Sequence, residues 1–372
     1  MSSTIRTFLI LACICITAAQ SQTRFRDIVF ATPDISKNII FGNGINYLGA
    51  SDTLVLDFYQ PANDTMTMRP LVILIHGGSF TSGTHDDGWC VAIGSTLALK
   101  GYACASIKYR LGIDLIKILT DLTAAQAQYA SALYRAIQDS RSAVRFIKAN
   151  SETYKIDTNR IFICGYSAGA ITAVHYIHVQ QNEFTMIGDT TGFGPLDNGA
   201  NLNVSSSVAG YISYAGAIFD TSFINAGEKP FLAFHGTGDE TVPYGAGPAY
   251  GIQQMPVIFG SSVIQRVANR FNILNKLVTY PDSSHMFAAS PTILPQTIDT
   301  VSEFLYSNFI NATPVKHIVN VRRISAYSSP ATIHTINGRR LNGSLMQSPG
   351  IYIRNNRTNT DKTFPILNSN TK

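Results

Sequence analysis

The sequence predicts an α/β fold in which helices cover both faces of a mainly parallel sheet. From Leu71 onward, short apolar runs alternate with helical stretches, and this alternation is typical of parallel sheets built from strand–helix–strand units. The run Leu71–Ile75 is apolar throughout, as expected of a strand buried on both faces. Polar or Gly-rich segments follow several such runs. They place candidate site residues at the carboxyl ends of the strands, where these sheets form their sites.

The first part of the chain predicts antiparallel strands that open the sheet. Asp27–Ala31 and Asn38–Phe41 are short runs of strand-forming composition. Thr53–Tyr59 contains an apolar/polar alternation, which a Gln-Pro pair ends. The sheet is therefore expected to be mainly, and not wholly, parallel.

The later elements follow in strand–helix order. The clearest helix is expected within 121–150, where apolar residues recur on a single helical face: Leu133, Ala136, Ile137, Val144 and Ile147. Further helices are expected over Trp89–Lys100, Val263–Leu274 and Ile298–Phe309, and further strands over Tyr102–Tyr109, Val208–Ala215, Pro230–Phe234 and Leu277–Tyr280.

Residues 1–22 predict a secretory signal peptide. Arg6 gives a positive start, Phe8–Thr17 is an apolar core too short to span a bilayer comfortably, and small residues follow, with cleavage expected after Ala19 or Ser21. A membrane anchor is the alternative. We therefore expect a secreted or cell-surface protein.

The chain is expected to divide into a catalytic domain over 23–311 and a C-terminal segment over 312–372. Asn, Ser, Thr and Arg dominate the latter, which predicts a small β-rich module or a flexible tail. Of the formal net charge of +5, this segment carries +8 and the first 22 residues +1, which leaves −4 for 23–311. A slightly acidic body does not favour nucleic-acid binding.

Cysteine usage argues against a disulfide scaffold. Removal of the signal peptide leaves Cys90, Cys104 and Cys164, an odd number, so at least one thiol is unpaired. None has a companion His or Cys at metal-ligand spacing. We expect neither a metal site nor a cofactor.

The segment Gly165–Gly169 has the pattern G-x-S-x-G between an apolar run and an Ala-rich helical stretch. A turn this tight forces its serine into a strained backbone conformation, and the two glycines omit side chains that would clash. Ser167 is thereby expected at the carboxyl edge of the sheet and at a helix N-terminus, which favours developing negative charge. It is the candidate nucleophile.

A serine hydroxyl needs a base to remove its proton and a carboxylate to orient that base. In the nucleophile-elbow arrangement the chain order is serine, acid, histidine. His285 lies in a polar loop directly after a strand and is the candidate base. The other histidines after Ser167 are less suitable. His175 and His178 lie on the helix after the turn, and His235 has no suitable acid before it in the chain. His317 and His334 lie in the tail.

Asp239, in a loop after the Pro230–Phe234 strand, is the candidate acid. Glu240 and Asp282 are its rivals. Asp282 is close to His285 in sequence, so it reaches that side chain from an opposing side only with difficulty.

Acyl transfer also needs donors for the oxyanion of the tetrahedral intermediate. Two adjacent glycines follow the Leu71–Ile75 strand and let the backbone turn its N–H groups toward the nucleophile. Gly78 and Ser79 are the expected donors there, with Ala168 as a third from the elbow. His76 is expected to be structural.

With these residues in place, the chain resembles the α/β-hydrolase superfamily, specifically its secreted carboxylesterase/lipase-like branch with an HGG oxyanion motif. The resemblance covers roughly residues 50–310. It rests on His76-Gly77-Gly78, the strand end Ala105–Arg110, Asp139 with Ala143–Phe146, Gly165–Ala170, the loop His235–Pro243 and His285. Ser79 stands where many relatives have a third glycine. The resemblance implies that the Cys104 and Cys164 strands flank the Leu71–Ile75 strand, too far apart for a disulfide.

The tail resembles the C-terminal sorting domain of the type IX secretion system. The matching segments are Thr335–Leu341 and Gly350–Ile353. The resemblance implies secretion machinery as a partner.

We therefore expect a serine carboxylesterase acting on a small-molecule or polysaccharide-linked ester. A serine peptidase on the same fold, or a non-catalytic relative acting as a binding protein, is the alternative. Leu111–Gln128 is a candidate for part of a cap over the site, and Gly188–Ser207 for the pocket rim.

Overall fold

A computed structural model describes residues 22–113, 121–253 and 255–311, with the side chains of 122–125 left aside. All of them belong to one compact unit. Apart from Gln22, the predicted signal peptide lies outside the described residues, and so does the C-terminal segment 312–372.

Strands and helices alternate after an antiparallel start. The strands are β1 (Pro33–Ile45), β2 (Ser51–Pro61), β3 (Arg69–Ile75), β4 (Ala103–Ile107), β5 (Ile156–Tyr166), β6 (Gly210–Tyr214), β7 (Ala217–Ile218), β8 (Phe231–Gly236), β9 (Ala246–Pro248), β10 (Val257–Gly260) and β11 (Asn275–Tyr280). The helices are α1 (Gly88–Leu99), α2 (Leu122–Ala149), α3 (Ser151–Tyr154), α4 (Ala168–His178), α5 (Ser261–Arg270) and α6 (Ile293–Leu305). Short 3₁₀ turns occupy Phe184–Met186, Thr221–Phe223, Ala249–Gly251 and His285–Ala289, and a π-helical turn, Tyr306–Ile310, follows α6.

In the described part of the chain, the main sheet has eight strands in the order β1-β2-β4-β3-β5-β6-β8-β11. The β1–β2 and β2–β4 pairs are antiparallel, and every later pair in the sheet is parallel. A small antiparallel sheet, β7-β10-β9, stands beside it. The predicted fold class, a mainly parallel sheet with helices on both faces, is confirmed.

Strand β3 divides the core into two layers. Leu71, Ile73 and Ile75 pack into one hydrophobic cluster with α2 and α4. Val72 and Leu74 face the opposite cluster, which contains α1 and α6. The side chains of a strand alternate between faces, so an apolar run buried on both sides is what a two-layered cover requires.

The largest differences from the sequence prediction concern the N-terminal segment and the two last helices. Asp27–Ala31 is not a strand, because the N–H groups of Val29 and Phe30 donate to Leu99 O at the end of α1. Helix α5 ends at Arg270, four residues before the predicted end. Helix α6 begins at Ile293, five residues earlier than predicted. Pro295 lies in the first turn of this helix, where backbone N–H groups have no intrahelical acceptor, so its missing N–H costs no hydrogen bond.

Cys90, Cys104 and Cys164 are free and buried. Strands β4 and β5 flank β3, so Cys104 and Cys164 lie two strand spacings apart. The absence of a bond between them is confirmed. None of the described helices is long and apolar enough to cross a membrane.

Candidate active site

Ser167 occupies a strained turn between β5 and α4. Its backbone angles, φ 55° and ψ −118°, are far from those of a helix or strand, and its N–H donates to Tyr214 O at 2.9 Å. A Cβ on Gly165 would lie 2.1 Å from Gly169 O, and one on Gly169 would lie 2.0 Å from Ile75 O. No side chain fits at either distance, so both glycines are required for this turn. The strain predicted for Ser167 is present.

His285 connects Ser167 to Asp239. Its Nδ1 lies 2.7 Å from Asp239 Oδ2 and its Nε2 lies 2.8 Å from Ser167 Oγ. A carboxylate only accepts hydrogen bonds, so Nδ1 carries the hydrogen and Nε2 is left to accept from the serine hydroxyl. These contacts join three residues that lie 46 and 118 positions apart in the sequence.

Asp239 is held in the charged form. Its Oδ1 accepts hydrogen bonds from the N–H groups of Thr241 and Val242, each at 2.9 Å. Burial by itself would raise the pKa of Asp239, but hydrogen bonds from His235 and His285 and the N–H of Val242 together hold that pKa well below its usual value.

The two rival acids do not reach the candidate base. Among the described residues, the carboxylates of Glu240 and Asp282 make no hydrogen bond or ion pair with His285. Asp239 is therefore the acid that the geometry favours.

Tyr166 fixes the loop that carries the candidate base, a contact that the sequence analysis missed. Its hydroxyl donates to His285 O at 2.9 Å, and its ring stacks on the imidazole with 5.6 Å between centroids. Trp89 in turn stacks on Tyr166, with 5.7 Å between ring centroids. The only signal in the sequence was an aromatic residue directly before the nucleophile, which by itself suggests core packing.

The loop after β3 passes directly beside the nucleophile. A Cβ on Gly77 would lie 3.3 Å from Ser167 Cβ, and one on Gly78, which has φ +107°, would lie 2.1 Å from Ser82 O. Ser79 and Phe80 both have left-handed angles, φ 55° and 60°. Ser79, which stands where many relatives have glycine, therefore has a left-handed conformation that glycine adopts more easily.

The predicted oxyanion donors have backbone N–H groups that make no hydrogen bond to a described residue. Within the described residues, no acceptor is found for the backbone N–H of Gly78, Ser79 or Ala168. Ser79 and Ala168 line the same cavity as Ser167. Unpaired N–H groups beside a nucleophile are suited to bind an oxyanion.

His76 is placed as predicted for a structural residue. It is fully buried, its Nδ1 contacts Gly77 O at 2.7 Å, and its ring stacks on Tyr109. Burial lowers its pKa, which keeps the imidazole neutral.

A cavity of about 310 Å³ opens beside Ser167. Its walls are largely aliphatic and aromatic, and Asp220 is the one charged side chain among the described lining residues. His175 also lines it, and burial lowers the pKa of this histidine to about 4. Across the cavity, the Tyr129 hydroxyl donates to the Tyr250 hydroxyl at 2.8 Å. An uncharged, mainly apolar group therefore fits this cavity best.

The walls come only partly from the predicted segments. Gln126 of the predicted cap lines the cavity, and 114–120 lie outside the described residues. No described residue of Gly188–Ser207 lines it, so that prediction was wrong. This insert packs against α2 instead, where Arg145 pairs with Asp197 at 2.8 Å. Ala249, Tyr250 and Met255–Ile258 supply a part of the wall that the sequence analysis did not foresee.

Comparisons with known proteins agree with this architecture. The BD-FAE family profile matches residues 56–211. Neuroligin-like protein glit-1 of Caenorhabditis elegans is 30% identical over 32% of this chain and 15% of its own length. Juvenile hormone esterase of Tribolium castaneum is 29% identical over 37% of this chain and 21% of its own length. The chain thus spans about a fifth or less of these two relatives.

Among solved structures, native esterase 2 of Thermogutta terrifontis superposes with a TM-score of 0.54 at 17% sequence identity. The match covers 76% of this chain and 94% of that one. Together with the strand order, the strained serine turn and the mainly parallel sheet, this similarity shows that the chain has the α/β-hydrolase fold.

Proposed function

We propose that the protein is a serine hydrolase that cleaves carboxylic esters through Ser167, His285 and Asp239. The observation that carries the proposal is the position of His285, whose two ring nitrogens contact Ser167 Oγ and Asp239 Oδ2 at 2.8 and 2.7 Å. This arrangement lies at the wall of an apolar cavity. It is the geometry that an activated serine requires.

In the first half-reaction, Ser167 Oγ attacks the carbonyl carbon of the ester while His285 Nε2 takes the hydroxyl proton. The carbonyl oxygen becomes an oxyanion, which the N–H groups of Gly78, Ser79 and Ala168 are placed to stabilise. The intermediate then collapses. The bond to the alcohol breaks, His285 returns the proton to the leaving oxygen, and the acyl group remains on Ser167.

In the second half-reaction, water attacks the acyl-enzyme. His285 takes a proton from the water, and the same N–H groups receive the new oxyanion. On collapse the bond to Ser167 Oγ breaks, His285 returns the proton to Oγ, and the carboxylic acid leaves. Asp239 stays charged in both halves and stabilises the imidazolium form of His285.

The cavity supports an uncharged substrate group. Its described lining contains no Lys or Arg and one carboxylate, Asp220, so an anionic group would be desolvated without a partner there. The substrate class remains a small-molecule or polysaccharide-linked ester. Relatives named as esterases, such as the juvenile hormone esterase and the fumonisin B1 esterase of Sphingopyxis macrogoltabida, are consistent with ester hydrolysis.

A panel of p-nitrophenyl esters of rising acyl length, with a matched p-nitroanilide, tests the proposal. We expect the wild-type protein to hydrolyse at least one ester and Ser167→Ala to lose at least about 10³-fold in kcat. Faster cleavage of the anilide would favour a peptidase. Equal ester rates for the wild type and Ser167→Ala would refute the proposed nucleophile.

We also propose that residues 1–22 direct export and that 312–372 engage type IX secretion machinery. The support is the sequence pattern of both segments. Expression in a bacterium with this system should place the full chain, but not a chain lacking 312–372, at the cell surface or in the medium. Equal export of the two would refute a sorting role for the tail.

A further inference from the structure

We infer that His235 is a positioning residue that orients the Asp239 carboxylate and thereby sets the basicity of His285. The inference rests on the proposed function, because it assigns His285 the role of base. His235 is the penultimate residue of β8 and is fully buried. It does not contact Ser167 in the described structure, so it acts only through Asp239.

The surroundings of His235 determine where its hydrogens lie. Nε2 is 2.9 Å from Val242 O and 3.3 Å from Asp239 Oδ2. Both atoms only accept hydrogen bonds, so Nε2 must carry a hydrogen. Nδ1 is 2.8 Å from Ser261 Oγ, which is itself 3.4 Å from Gly216 O.

Ser261 lets His235 keep this donor in either protonation state. When the imidazole is neutral, the Ser261 hydroxyl donates to Nδ1. When it is protonated, Nδ1 donates to Ser261 Oγ, and the hydroxyl hydrogen turns to Gly216 O. In both states Nε2 keeps its N–H, which donates to Val242 O at 2.9 Å with Asp239 Oδ2 3.3 Å away, so the carboxylate always has this second imidazole N–H beside it.

Asp239 therefore has four donors for its two oxygens. Thr241 and Val242 hold Oδ1, while His285 and His235 share Oδ2. A donor on Oδ2 withdraws charge from the atom that stabilises the His285 imidazolium. Without His235, that atom would attract the His285 proton more strongly, and His285 would become more basic.

Among the described residues, the other titratable groups that contact the rings of His285 and His235 are two tyrosines. Tyr166 stacks on His285, and Tyr244 meets His235 edge-on. Burial raises the pKa of Tyr166, so this phenol stays neutral in the working range. The charge that His285 experiences at close range is that of Asp239, as modified by His235.

A matched pair of substitutions separates the donor from simple packing. The amide nitrogen of glutamine reaches about as far as Nε2 of histidine, whereas that of asparagine reaches only as far as Nδ1. His235→Gln therefore keeps a donor toward Asp239, and His235→Asn keeps only the contact near Ser261. His178→Gln is the control, because His178 is equally buried but contacts Glu228 and Tyr211.

Two readouts are needed: the acid limb of kcat/KM for an ester, and the titration of the His285 ring followed by NMR. We expect His235→Asn to raise the His285 pKa by about 0.5–1 unit and to lower kcat by about tenfold or more. His235→Gln should stay within about 0.2 units of the wild type, since it retains the donor. His178→Gln should lose stability without moving the pKa.

The inference is overturned if His235→Asn leaves the His285 titration unchanged, or if His235→Gln shifts it equally, because packing alone would then account for the residue. Should His235→Asn fail to fold, His235→Leu, which also removes the donor toward Asp239 but keeps an apolar side chain at this buried position, carries the test, and an unchanged His285 titration in that variant overturns the inference. A wild-type protein without ester hydrolysis, but with the NMR shift in His235→Asn, would refute the proposed function and retain this inference.

Discussion

Replacement of Asp239 by asparagine changes one atom at the point where four hydrogen bonds meet. The N–H groups of Thr241 and Val242 belong to the backbone and cannot turn away from Oδ1. Asparagine therefore keeps its carbonyl oxygen toward them and turns its NH₂ group toward the two imidazoles. To accept from that group, His285 must move its hydrogen to Nε2, where it faces Ser167 and cannot take the hydroxyl proton.

The expected loss follows from the bonds that change. A hydrogen bond to a charged group contributes about 1.5–3 kcal/mol, and Asp239 Oδ2 receives one from His285 at 2.7 Å, while His235 Nε2 lies 3.3 Å away and donates mainly to Val242 O. Loss of the first bond alone corresponds to about 10–10²-fold in kcat at about 1.4 kcal/mol per tenfold, and the wrong tautomer of His285 raises the expected total loss to about 10²–10⁴-fold. KM should change little, because Asp239 does not line the cavity.

Steady-state kinetics on a p-nitrophenyl ester measure this loss, with thermal unfolding as the check on folding. Asp282→Asn and Glu240→Gln are the matched controls, and both should keep wild-type kcat. An Asp239→Asn protein with full activity would refute the reasoning. A loss confined to Asp282→Asn or Glu240→Gln would move the role of the acid to that residue.

Three further predictions concern pH, the serine turn and the tail. Protonation of the base His285 removes activity, so kcat/KM should fall with falling pH; because hydrogen bonds hold the pKa of Asp239 well below its usual value, ionisation of that carboxylate should add no second step above about pH 4, and such a step would contradict a charged Asp239. Gly169→Ala should destabilise the fold by about 3 kcal/mol or more, because its Cβ would lie 2.0 Å from Ile75 O. Gly88→Ala, which meets no atom within 4 Å, should change the unfolding temperature little, and equal shifts for the two would contradict the steric argument. A chain ending at residue 312 should retain ester hydrolysis, and an unfolded or inactive product would show that the tail supports the catalytic domain.

The parallel sheet was predictable because buried strands have a simple sequence pattern. In β3 every residue is apolar apart from the first two, and so short an apolar run favours a strand covered on both faces. The serine turn was predictable for a similar reason, since Gly165 and Gly169 are fixed by contacts of about 2 Å with neighbouring backbone. A steric requirement within a short segment fixes its residue types, so it can be recognised in the sequence.

Contacts between distant segments were harder to predict. Chain order and loop position suggested His285 and Asp239, but no pattern indicated that Tyr166 would bind His285 O or that His235 would contact Asp239. Tyrosine and histidine in apolar surroundings are ordinary core residues. Their roles depend on which loop packs beside them in the folded chain.

The walls of the cavity were the least predictable part. Tyr250, which has φ 58°, lines the cavity, and its hydroxyl accepts a hydrogen bond from the Tyr129 hydroxyl on the other side. The polar insert Gly188–Ser207 was the predicted rim, yet ion pairs from Arg141 and Arg145 to Asp197 hold it against α2. Composition alone does not show which of two loops covers a site.

Covalent labelling by a fluorophosphonate, followed by peptide mass spectrometry, tests the central claim most directly. Such a probe reacts rapidly only with a serine whose proton a base can take. We predict a single adduct on Ser167 in the wild-type protein, no adduct in Ser167→Ala, and labelling slowed by orders of magnitude in His285→Ala. An unlabelled Ser167 in folded protein, or a wild-type labelling rate in His285→Ala, would contradict the account.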